Sequence, residues 1–126
     1  MAEAGSPTIC SAVRSSLAVY NALVAPPGGP VVISWYASRG YVPQRIIVYD
    51  SNYNIVARVP CTYHQRGKNS LGYCIYNAPG EEGVYYIYFR EYNPDTGDSR
   101  IHGGVVLFVC RGSVMERLYQ AALTPL

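Results

Sequence analysis

The chain has 126 residues, of which 49% are hydrophobic and only 14% charged, with a formal net charge of +2. That length lets one core bury roughly two thirds of the unfolded surface without a metal, cofactor or disulfide, and the composition excludes a disordered chain. Nine of the ten basic residues are arginines, thinly spread, which disfavours a nucleic-acid stripe and suits planar contacts with a partner.

The whole chain, 1–126, reads as a single domain: an N-terminal segment 1–16, a β-rich body 17–111 and a helix 113–123. Met1 to Pro7 has an early acidic residue and no apolar run of signal length. With no Asn-x-Ser/Thr acceptor, an intracellular setting is favoured, although the compartment stays open. No segment approaches the length of a membrane span. Around Cys10 to Val24 helical spacing and alternation compete, and a strand from about Leu17 to Val24 is expected, entering as a first edge.

From Pro30 short strands are separated by turn chemistry, the mark of an antiparallel sandwich. After the turn Pro26-Pro27-Gly28-Gly29-Pro30, a strand from Val31 to Ala37 sets Val31, Ile33 and Trp35 on one face. Gln44 to Asp50 follows, with Ile46 and Val48 inward and Arg45, Ile47 and Tyr49 on the other side. Asp50-Ser51-Asn52-Tyr53-Asn54 then turns the chain into Ile55 to Val59, making a hairpin. Cys61 to Asn69 reads as a polar loop, Gly72 to Tyr76 as a strand, and Pro79 to Gly83 as a turn.

Gly83 to Tyr92 is the most informative stretch. Alternation places Tyr85, Ile87 and Phe89 toward the core and Tyr86, Tyr88, Arg90 and Tyr92 on the opposite face. The turn Asn93-Pro94-Asp95-Thr96-Gly97-Asp98 leads to an apolar strand from Val105 to Cys110. A capping box at Ser113 to Glu116 begins the C-terminal helix, whose apolar face is Met115, Leu118, Tyr119 and Ala122.

Catalytic chemistry finds little support. The acids Asp50, Glu81, Glu82, Glu91, Asp95 and Asp98 fall mostly in expected turns, where solubility and turn formation account for them. Cys10, Cys61, Cys74 and Cys110 form no C-x-x-C pair and have no histidine at ligand spacing, which argues against zinc and for free, mostly buried thiols. The chain is therefore not expected to be an enzyme.

Trp35, the arginine-bearing segment to Pro43, Arg45-Ile46-Ile47-Val48-Tyr49-Asp50, and Pro79-Gly80 with Gly83-Val84-Tyr85-Tyr86-Ile87-Tyr88 together resemble the non-catalytic N-terminal β-sandwich of glycoside hydrolase family 123. The resemblance spans Val31 to Tyr92 and implies a sandwich module without hydrolase activity. Tyr36-Ala37-Ser38-Arg39 stands where that family carries a run of arginines. Pro79 to Tyr86 also resembles SKICH-type immunoglobulin-like domains. Fold likeness does not fix function.

The resulting expectation is an all-β, immunoglobulin-like antiparallel β-sandwich of about seven strands with a short C-terminal helix. It would act as a binding module through Tyr36, Tyr49, Tyr86, Tyr88, Arg90 and Tyr92. Tyrosines offer large, stiff, half-polar contact area, but they also serve plain sheet packing, and a helix laid over them would make a second core. A protein partner, including a second copy, and a carbohydrate are the competing occupants.

Overall fold

The computed structural model describes residues 10–11 and 22–112. The described residues are all-β, of sandwich-like architecture, and form eight strands: β1 (Ala22–Ala25), β2 (Pro30–Ser38), β3 (Val42–Tyr49), β4 (Ile55–Pro60), β5 (Thr62–Arg66), β6 (Asn69–Asn77), β7 (Gly83–Tyr92) and β8 (Ser99–Val109). Five strands in the order β1-β8-β7-β3-β4 make one sheet, and β2-β6-β5 make the other. The expected C-terminal helix, 113–123, lies outside the described residues, as does most of the segment before β1. Among the described residues no helix is long and apolar enough to cross a membrane.

Backbone contacts group the chain into two compact units. One comprises, among the described residues, 10–11, 22–31, 77–85 and 105–112. In it β1 pairs with β8 in parallel, Ala22 opposite Val106 through Ala25 opposite Val109. This departs from a wholly antiparallel expectation. Leu107, Val109 and Cys110 are fully buried, while Cys10 and Cys110 are joined by a disulfide across 100 residues of sequence.

The other unit comprises Val32–Tyr76 and Tyr86–Gly104. Here β3 pairs antiparallel with both β4 and β7. Alternation explains its inner face: Ile46, Val48 and Ile87 are all but completely buried, each worth roughly 1.5–3 kcal/mol. Ile47, expected on the outer side, is also buried because its register partners Tyr88 and Arg58 flank it. Trp35 of β2 stacks on Phe89 of β7 with ring centroids 4.7 Å apart. Gly72 of β6 lies so close to Pro43 of β3 that a Cβ there would strike the proline ring.

Two further differences from the sequence reading concern strands. The expected loop 61–69 is instead a hairpin, in which β5 and β6 pair antiparallel around Gly67 and Lys68. Its polarity misleads because β5 is an edge strand exposed along its whole length, so no face of it needs to be apolar. β8 begins six residues earlier than the apolar run, and Gly103 within it takes φ +69°, a conformation that glycine adopts without strain.

Candidate contact surface

The outer side of the β3–β7 pair collects tyrosines. Tyr49 is the register partner of Tyr86, and Tyr88 is that of Ile47. Tyr49 and Tyr88 meet edge to face with centroids 5.5 Å apart, a favoured aromatic arrangement. Tyr86 and Tyr88 are half-buried, as is Tyr49. Tyr85, Ile87 and Glu91 occupy the opposite, buried side of β7, as strand alternation requires.

A fourth ring completes the cluster, and the sequence reading assigned it only to a turn. Tyr53 lies over Tyr86, centroids 5.2 Å apart and planes 7° from parallel, and it also touches Tyr49 at 6.4 Å. It is 61% exposed. Its backbone is left-handed, φ +61°, which is uncommon for an aromatic residue. Asp50 enforces this conformation: its Oδ1 accepts from the amides of Asn52 and Asn54, both at 2.9 Å, and its carbonyl accepts from the Tyr53 amide at 3.0 Å. The Asp/Asn-rich composition forecast a tight turn, but nothing in the spacing forecast a ring folded back onto β7.

Arg90 and Tyr92 continue the same side of β7 and are half-buried. The Arg90 guanidinium donates from Nε to Gln44 Oε1 at 3.2 Å. Five of the six expected contact residues thus share one side of the β3–β7 pair. Tyr36 does not. It lies on β2 in the three-stranded sheet, 58% exposed, on the side of that strand that also presents Val32.

The inner side of β7 carries the one feature for which the alternating pattern gave no warning. Glu91 is completely buried. Trp35 donates from Nε1 to its Oε2 at 3.0 Å, and Arg100 donates from Nε to its Oε1 at 2.8 Å. His102 Nδ1 stands 3.4 Å from Oε1. Arg100 also lies over the ring of Tyr41, 3.8 Å from its centroid, a cation–π contact. Among the described residues no buried side-chain nitrogen or oxygen lacks a partner, and the hydrogen bonds to Glu91 satisfy the polar atoms of this network.

The cysteines divide into two pairs. Cys10 and Cys110 form the disulfide, contrary to the expectation of free thiols throughout. Glu82 stands near them, but the sulfurs are spent on each other and its carboxylate accepts from the Arg111 amide, so the trio is not a metal site. Cys61 and Cys74 are free, half-buried and buried respectively. Their thiols are hydrogen-bonded to each other, which pushes Cys61 up and holds Cys74 down.

No protein-family model matches this chain, and no curated protein does.

Proposed function

We propose that this protein is an immunoglobulin-like sandwich module that binds a protein partner through the tyrosine cluster of Tyr49, Tyr53, Tyr86 and Tyr88, flanked by Arg90 and Tyr92. The observation that carries the reading is Tyr53. A turn held by Asp50 puts a large aromatic ring in a disfavoured backbone conformation, stacks it on Tyr86, and still leaves it 61% exposed. A ring placed there for packing alone would be buried. Rigid tyrosines lose little side-chain entropy on contact, and clustered aromatics are the usual anchors of protein interfaces.

A second reading rests on the same ring. A flat, exposed tyrosine is also a platform for a sugar, with Asn52 and Ser51 beside it as hydrogen-bonding groups. Two measurements separate them. Light scattering at rising concentration, with chemical cross-linking to mixed partners, should report self-association or a complex that Tyr53→Ala with Tyr86→Ala abolishes. Glycan-array signal lost in the same variant would instead favour the sugar. If the double variant alters neither complex formation nor glycan binding, the cluster is not a contact surface.

A further inference from the structure

We propose that Cys61 and Cys74 are an oxidisable dithiol site, which closes to a disulfide by exchange with a small-molecule disulfide.

The geometry comes from the β5–β6 hairpin. Thr62 is the register partner of Tyr73 and Arg66 that of Asn69, so one step further Cys61 faces Cys74. A two-residue turn, Gly67 and Lys68, joins the strands, and such turns close on a hydrogen-bonded pair. Bonded and non-bonded pairs then alternate outward from Arg66 and Asn69, which makes Cys61 and Cys74 a non-bonded pair. In that class Cα atoms stand about 4.5 Å apart and side chains approach most closely, inside the range that a disulfide spans. The two thiols are in hydrogen-bonding contact, and the Val59 carbonyl, 3.7 Å from Cys61 Sγ, is the alternative acceptor for the one Cys61 proton.

The position gives the bond a consequence. Cys61 is the residue between β4 of the five-stranded sheet and β5 of the three-stranded one. Its amide donates to Gln44 of β3 at 3.0 Å, while its side chain faces β6. A bond to Cys74 would clamp the corner at which the chain changes sheet.

The chemistry balances. The Cys74 thiolate, favoured by the hydrogen bond from Cys61, attacks one sulfur of the external disulfide R–S–S–R and expels R–S⁻, forming a mixed disulfide on Cys74. Cys61, relieved of that hydrogen bond, gives its proton to the expelled R–S⁻ and attacks the Cys74 sulfur, expelling the second R–S⁻. Both thiol protons end on the leaving groups as two R–SH, and the two electrons released by the cysteines reduce the external disulfide.

The test uses the full chain equilibrated with graded oxidised and reduced glutathione, quenched in acid, alkylated and weighed intact. The wild-type protein should pass in one step from two alkylated cysteines to none, losing two hydrogens and retaining no glutathione, with a cross-linked peptide joining Cys61 to Cys74. Cys61→Ser should stall with glutathione on Cys74. A wild-type chain that keeps both thiols alkylatable, or that accumulates a lasting glutathione adduct, overturns the proposal. The wild-type masses decide the matter even if the variant fails to fold.

Discussion

The ring of Tyr53 lies 7° from parallel to that of Tyr86, 5.2 Å away, although one residue sits in the turn after β3 and the other in the middle of β7. Two opposing terms meet at Tyr53. A left-handed backbone costs a non-glycine residue about 1 kcal/mol, and an aromatic pair returns about 0.5–1.5 kcal/mol. Tyr53→Gly relieves the first and loses the second, so urea unfolding should detect a change of no more than about 1 kcal/mol. Partner affinity should fall about tenfold or more, as for an aromatic anchor. A large stability loss with unchanged affinity would mean that the ring is there for packing.

Asp50→Ala should be the costlier change in the same turn. It removes the acceptor of two backbone amides, those of Asn52 and Asn54, and similar side-chain caps contribute about 1–2 kcal/mol. Asp50→Asn keeps an oxygen at the same place and should recover most of the loss. Chemical denaturation of the two variants side by side checks this, and amide exchange should localise the opening to residues 51–54.

The part of the fold that alternation governs was legible in the sequence. Val31, Ile33 and Trp35 are buried on β2, Ile46 and Val48 on β3, and Tyr85 and Ile87 on β7, because each strand covers a core on one side. Where a strand has no buried side the signal vanishes, which is why β5 read as a loop. Long-range choices were equally hidden. Cys10 finds Cys110 only once the chain has folded across 100 residues, and Tyr53 finds Tyr86 only through the Asp50 turn. Tyr36 alternates as Tyr86 does, yet it belongs to the other sheet, and alternation carries no information on which strands share a sheet.

Glu91 is where a charge takes a core position, and its variants should separate hydrogen bonding from charge. Glu91→Ala leaves the Trp35 indole and the Arg100 guanidinium without their acceptor and opens a void, a loss of about 2–4 kcal/mol. Glu91→Gln still offers an oxygen to Trp35 and gives up the ion pair with Arg100, whose side chain reaches solvent. It should cost about 1–2 kcal/mol. Tryptophan fluorescence during denaturation reads both, since Trp35 is the only tryptophan.

Burial pushes the Tyr76 phenol up from its ordinary value of 10.0. Because the folded state holds the neutral form more tightly than the unfolded chain does, this contribution is fully present below about pH 10. It disappears as pH rises through the folded-state value. Stability measured across the alkaline range should therefore fall more steeply in the wild type than in Tyr76→Phe, which has no proton to lose there. Parallel alkaline limbs would remove Tyr76 from the account.

The Cys10–Cys110 bond spans 100 residues, a long closure whose main effect falls on the unfolded chain. The chain-entropy estimate for such a loop is about 4–5 kcal/mol, and measured losses for native disulfides run about 2–5 kcal/mol. A Cys10→Ser, Cys110→Ser chain should therefore lose about 2–5 kcal/mol in urea. The denaturant slope distinguishes the cause. Freed from its cross-link, the unfolded ensemble expands and exposes more surface, so the slope should rise as the midpoint falls. If the midpoint falls at constant slope, the loss lies in the folded state, around the buried Cys110 whose amide donates to the Ala25 carbonyl at 3.0 Å, and the bond acts by packing the β1–β8 edge rather than by restraining the chain.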